Sequence, residues 1–252
     1  MQGIFLTDRG KVRALNEDSG GIYYNSQNQM LAIIADGMGG HQAGDVASQM
    51  ATSFIQEKWE SSETFKKPDE VEKWLFRTIY KINESIYQHA QKYTECEGMG
   101  TTLVIVVHVD DFLTVAHIGD SRCYLLNETG FNQVTEDHSL VNALVQSGQI
   151  TKDDAKHHPR KNVVLRALGS ESKVDPDIKT ITIEEDDTLL LCSDGLTDKI
   201  SDNELFEIIH SQNQLQQIGQ QLIELANSRG GEDNISLILL SNSFLVEEGV
   251  RE

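Results

Sequence analysis

The sequence predicts an α+β layered fold, and three features carry that expectation. Apolar runs of strand length recur through the 252 residues, they come in groups rather than in strict alternation with helices, and two pairs of helix-period segments separate the groups. No Pro-, Gly- or Ser-rich linker divides the chain, so residues 1–240 are expected to form a single domain.

In chain order, residues 3–7, 21–24 and 30–35 have strand character, with the polar residues 25–29 as a hairpin connection. From Ala43 to Trp59 the period changes: Val46, Ala47, Met50, Phe54 and Ile55 recur at helical spacing. Pro68 opens a second helix, where its missing N–H costs nothing, with Val71, Trp74, Leu75, Ile79, Ile82 and Ile86 on one face. Residues 101–109, 113–118 and 123–126 follow as three strands on short turns. Residues 135–169 are polar, carry His138, His157 and His158, and contain two short helical pieces, which predicts an excursion from the core. Strands resume at 178–183 and 188–192. Ser201, with Glu204 three residues on, caps a helix over 202–210; a second spans 215–228, and 235–240 is the closing strand. Residues 241–252 form an acidic tail.

The net charge of −19 argues against nucleic acid and anionic membrane as partners, because both demand a basic footprint. Three cysteines at no metal or redox spacing suit a reducing compartment. The N-terminus lacks a secretory pattern, and no apolar run approaches the ~20 residues that span a bilayer. A cytoplasmic location is expected.

The chemistry lies in five aspartates that sit at the ends of apolar runs, mostly beside glycine or asparagine: Asp18, Asp36, Asp120, Asp194 and Asp233. Each alone is an ordinary turn residue. As a set they predict convergence at the strand ends of one sheet. Two unit charges about 4 Å apart repel by roughly 4 kcal/mol at an effective dielectric near 20, so converging carboxylates require cations. Hard oxygen ligands without a matching Cys or His set predict Mg²⁺ or Mn²⁺. Arg13, five residues before Asp18, is a candidate for bidentate phosphate binding, and otherwise a surface partner of Glu17. His41 is a candidate general acid or base. His117 lies in an apolar strand and reads as a satisfied core residue, Cys192 as core, and the flanking Ser121 and Ser193 form no catalytic triad.

Arg13-x-x-Asn16-Glu17-Asp18, Asp36-Gly37-Met38-Gly39-Gly40-His41, Gly98-Met99-Gly100-Thr101-Thr102, Gly119-Asp120-Ser121-Arg122, Ser193-Asp194-Gly195 and Asp233-Asn234 occur in the order of the metal-dependent protein phosphatases. The chain resembles this PPM, or type 2C, family, in its compact bacterial branch. The resemblance implies a four-layer αββα fold: a central antiparallel β-sandwich flanked by helix pairs, with residues 135–169 as the flap. It implies that Asp36 bridges two central cations, with the Gly37 carbonyl on one and Asp194 plus Asp233 on the other. Asp18 and Glu17 would act mainly through coordinated water, Asp120 with Asp194 would hold a third ion, and Arg13 would hold the substrate phosphate. Some relatives place a histidine where this chain has Met38, so the nearest candidate acid is His41. The implied reaction is hydrolysis of phosphoserine and phosphothreonine by metal-activated water. The implied partners are phosphorylated proteins, among them a Ser/Thr kinase and its substrates, met by a monomer. Two other classes stay open: a metal-dependent nuclease or nucleotide phosphohydrolase, and an inactive relative serving as a regulatory module.

Overall fold

In the computed structural model the described residues are 1–39, 43–211 and 214–242. They begin with three strands, β1 (Gln2–Asp8), β2 (Asp18–Tyr24) and β3 (Met30–Met38), followed by helices α1 (Ala43–Glu60) and α2 (Pro68–Lys92). A short β4 (Gly100–Thr101) leads into β5 (Leu103–Val109), β6 (Phe112–Ile118), β7 (Arg122–Asn127) and β8 (Gly130–Gln133). Helices α3 (Leu140–Gln146) and α4 (Lys152–Lys156) lie in the excursion. The chain then forms β9 (Asp177–Thr182), β10 (Thr188–Cys192), α5 (Asp194–Thr197), α6 (Asp202–His210), α7 (Leu215–Ser228) and β11 (Ile235–Ser241).

The strands form two antiparallel sheets, ordered β1-β11-β10-β7-β8 and β2-β3-β5-β6-β9, with β4 paired to β3. Strand periodicity explains the layers. In β3, Met30, Ala32 and Ile34 face the other sheet, while Leu31, Ile33 and Ala35 face α1 and α2. In β11, Ile238 and Leu240 point into the sandwich, and Ile235, Leu237 and Leu239 point toward α6 and α7. Central strands covered on both sides favour apolar residues on both faces, which is why these segments run largely apolar without alternation. The result is the four-layer αββα order.

Several expectations shift in detail. Strand β2 begins at Asp18, three residues earlier than its apolar content indicated, because Gly20 and Gly21 continue the pairing to Ile34 and Ile33. Gly20 suits this place because a Cβ there would lie 2.5 Å from the Ile33 carbonyl oxygen. Strand β8 was invisible to its polar sequence and exists through its ladder with β7. The Asp-Gly at 194–195 opens helix α5 instead of a hairpin. The acidic tail lies outside the described residues, apart from Ser241 and Asn242. Among the described residues no helix is long and apolar enough to cross a membrane.

Candidate metal centre

The five aspartates gather at one end of the sandwich, drawn from both sheets and not from the strand ends of one sheet as expected, because β2 and β3 lie in one sheet and β10 and β11 in the other. Asp18 and Asp36 are direct cross-strand partners in β2 and β3. Like charges at such a pair are destabilising, so this register is chosen against electrostatics. Asp120 occupies the β6–β7 turn, Asp194 follows β10, and Asp233 precedes β11. Arg122 pairs with Cys192 in register, which aligns the Asp120 and Asp194 turns side by side.

Neutral side chains lock this geometry. The Ser193 hydroxyl donates to Asp18 Oδ2 at 2.8 Å across 175 residues of sequence, and the Ser193 Oγ in turn accepts from the Ser236 N–H at 3.0 Å. Thr102 receives the Asp36 N–H on its hydroxyl (3.0 Å), and its hydroxyl also meets that of Ser121 at 2.7 Å. Asn234 accepts from the Glu17 N–H and donates to the carbonyls of Arg9 and Leu15, shaping the loop that carries Arg13. Sequence reasoning assigned these four residues no role. For Ser121, Ser193 and Asn234 the signal was adjacency to a key aspartate; Thr102 had none in its neighbours.

Burial and mutual repulsion set the electrostatics. Asp36 and Asp194 are driven well above the usual carboxylate range, first by desolvation and then by the surrounding aspartates. Asp18 and Asp120 are pushed up to about 6, again chiefly by burial. Asp198, four residues after Asp194, adds its charge to both Asp194 and Asp120, and it forms an ion pair with Lys161 of the flap. The aspartate motifs did not reach it; its signal was the one-turn spacing from Asp194.

Two carboxylate oxygens of the cluster, Asp18 Oδ1 and Glu17 Oε1, are buried without a hydrogen-bond partner. Orphaned anionic oxygens beside crowded acids are what a divalent-cation centre of hard oxygen ligands requires, so the residues present fit Mg²⁺ or Mn²⁺. Gly37 belongs to this fit. Its backbone crosses that of Gly44 at the start of α1, and a Cβ would overlap the Gly44 carbonyl and lie 2.6 Å from that of Glu17. Gly37→Ala is therefore expected to lose about 3 kcal/mol of stability through enforced backbone displacement, measured by denaturant unfolding. Unchanged stability would show that α1 can yield there.

Arg13 is half-exposed at the rim. Its Nη2 donates to Asp233 Oδ2 at 2.6 Å, while Glu17 is 3.8 Å from Nη1. His41 lies outside the described residues. His117 is buried and bonded through Nε2 to the Glu136 carbonyl, as a satisfied core histidine should be. The three cysteines are buried and free.

The profile of the family described as Protein phosphatase 2C matches residues 9–237. The chain is 46% identical over 244 residues to the serine/threonine phosphatase stp of Listeria monocytogenes, covering 97% of each. The crystal structure of the serine/threonine phosphatase Stp1 from Staphylococcus aureus superposes with a TM-score of 0.91 at 40% identity, over 95% of this chain and 94% of that one. A structure of the PstP serine/threonine phosphatase catalytic domain in complex with 2 manganese ions gives a TM-score of 0.82 at 34% identity, over 94% and 96% of the two chains.

Proposed function

The chain belongs to the protein phosphatase 2C family, and on that premise we propose that its acidic centre hydrolyses phosphoserine and phosphothreonine by direct attack of water. The chain is a serine/threonine protein phosphatase; what is proposed is how its residues do this. The observation that carries the proposal is the meeting of Asp18, Asp36, Asp120, Asp194 and Asp233 beside side chains that offer no free nucleophile. Ser193 and Ser121 spend their hydroxyls on Asp18 and Thr102, and every cysteine is buried.

In this reading Asp36, the Gly37 carbonyl, Asp194 and Asp233 hold two central Mn²⁺ or Mg²⁺ ions, and Asp120 with Asp194 holds a third. Asp18 and Glu17 complete the set, mainly through water. Divalent ions at such a centre acidify water and neutralise charge on the transferring phosphoryl group. The chain supplies the rest. Asp18, held by Ser193, and Asp36, held by Thr102, fix where the incoming oxygen can sit. Arg13 turns its guanidinium from Asp233 to the substrate phosphate. His41 remains a candidate proton donor to the leaving alkoxide. Residues 1–240 act as one catalytic unit, and the 135–169 flap controls access. Phosphorylated proteins, including a Ser/Thr kinase and its targets, are the partners of a monomeric, cytoplasmic enzyme.

The deciding experiment is phosphate release from a phosphothreonine peptide with Mn²⁺, with Mg²⁺ and with EDTA, alongside Asp194→Asn. Turnover that needs metal, vanishes in the variant and spares nucleotides is expected. A folded, metal-binding protein without turnover would favour the regulatory-module alternative. Arg13→Ala is expected to raise KM about 10- to 100-fold, matching the ~1.5–3 kcal/mol of charged hydrogen bonds, with kcat changed far less. A loss confined to kcat would instead place Arg13 in the transition state alone.

A further inference from the structure

One residue touches three separate parts of the molecule around the Asp120 turn. The His138 N–H donates to the Gly119 carbonyl at 2.9 Å, and the Gly119 N–H donates back to His138 Nδ1 at 3.2 Å. The His138 carbonyl accepts from the Leu165 N–H at 2.7 Å, joining the outgoing and returning arms of the flap. A backbone amide can only donate, so Nδ1 carries the lone pair and the ring proton sits on Nε2. Asp177 Oδ2, 3.3 Å away at the start of β9, is the acceptor for that proton; Arg166 Nη1 lies equally close to Nε2 but, being a donor, gives its own hydrogen to Asp177 Oδ1 at 3.2 Å. The ring is buried and stacks on His117, with centroids 4.6 Å apart.

His117, His138 and Asp177 bring potential ligand atoms within 4.8 Å of one another. The tautomer argues against a metal there, because His138 presents a proton to Asp177 where an ion would need a lone pair. The trio is better explained as a clasp. Its grip falls on a turn with little freedom: Gly119 has φ +101°, and a Cβ would lie 2.7 Å from the Thr102 side chain.

We propose that His138 is a positioning residue whose Nδ1 fixes the Gly119–Asp120 turn and thereby couples the flap base to the cation held through Asp120. The inference rests on the reading of Asp120 as ligand of a third ion. The flap is stitched to the centre on its other side as well: Leu168 exchanges two backbone hydrogen bonds with Thr101, whose register partner is Gly37. A shift of the 163–168 arm is therefore felt at the Asp36–Gly37 and Gly119–Asp120 corners together.

Two substitutions of similar polarity separate the acceptor from mere packing. In His138→Asn the side-chain oxygen takes the place of Nδ1, and in His138→Gln the amide nitrogen takes the place of Nε2 while the Gly119 N–H loses its acceptor. Both are compared with the intact enzyme by calorimetric Mn²⁺ titration and by hydrogen exchange at Gly119 and Leu165, with thermal unfolding as the folding control. His138→Gln is expected to weaken the weakest Mn²⁺ site about tenfold, as loss of a ligand-orienting partner does, and to speed exchange at both amides. His138→Asn is expected to stay within about threefold of the parent at that site, by the same scale. Equal impairment of both variants, or a His138→Gln protein that binds Mn²⁺ and protects both amides like the parent, would overturn the proposal. Asp120→Asn guards the premise. If it binds as many ions as the parent, the third-ion reading fails, and unchanged exchange at Gly119 and Leu165 in His138→Gln would independently remove the clasp.

Discussion

Asparagine in place of Asp36 is expected to abolish metal binding and turnover while making the metal-free protein more stable. Asp36 stands opposite Asp18 across the β2–β3 ladder, and its carboxyl is disfavoured as an anion by burial and by Asp18, Asp194, Asp120 and Asp233. The amide keeps the shape and removes the charge. Its backbone anchors, the Thr101 and Thr102 hydroxyls, do not involve the side chain, so the fold has no reason to change. Turnover should fall by roughly 10³-fold or more, on the scale of losing a key electrostatic group in a preorganised site. Relief of repulsion should add about 1–2 kcal/mol, or ~2–8 °C in Tm for a chain of this size. Thermal unfolding in EDTA and peptide dephosphorylation in Mn²⁺ check both halves. Turnover above a tenth of the parent's would remove Asp36 from the centre; a lower Tm in EDTA would mean that the carboxyl's hydrogen bonds outweigh its repulsion.

The second large effect is an inverted pH dependence of stability with and without metal. A carboxyl whose folded value lies above its ordinary 3.8 binds its proton more tightly in the folded protein. Asp18 and Asp120, at about 6, thus stabilise the metal-free fold fully below pH ~4, and that contribution disappears as pH rises through 6. For Asp18 it amounts to at most about 3 kcal/mol. Asp36 and Asp194, raised further, carry the decline to higher pH. His108 and His138 work the other way, since burial lowers both, but they stop contributing to the slope above their ordinary range near 6.5. The Tm in EDTA should therefore fall between pH 6.5 and 8.5. Cations bind the ionised carboxylates, so saturating Mn²⁺ should stabilise most at the higher pH, by about 2.7 kcal/mol at a hundred times Kd. Parallel pH profiles in EDTA and Mn²⁺ would contradict a carboxylate-bound cation.

Both effects depend on aspartates that the sequence displayed openly. Asp36 and Asp194 were legible because each closes an apolar run, and Asp233 because it stands just before one. Arg13 shows the limit of local reading. Glu17, four residues away, was its natural partner by sequence, yet the structure gives its hydrogen bond to Asp233, 220 residues distant. Asp198 was missed because it matters only through the charge it adds to Asp194 and Asp120. His138 looked like an isolated lid histidine, since neither Gly119 nor Asp177 is near it in sequence.

By itself, then, the sequence determined what depends on short-range periodicity: the apolar strands, the helices at Pro68 and Ser201, and the residue types suited to a hard cation. The tertiary structure alone decided which sheet each strand joined. It placed β1 beside β11 and β2 in the opposite sheet, extended β2 through two glycines to Asp18, and drew β8 from a polar segment by pairing it with β7. The reason is physical. Periodicity records which faces are buried, whereas register is fixed by hydrogen-bond ladders and side-chain packing between segments far apart in the chain, and only register gathers five like charges at one end of the sandwich.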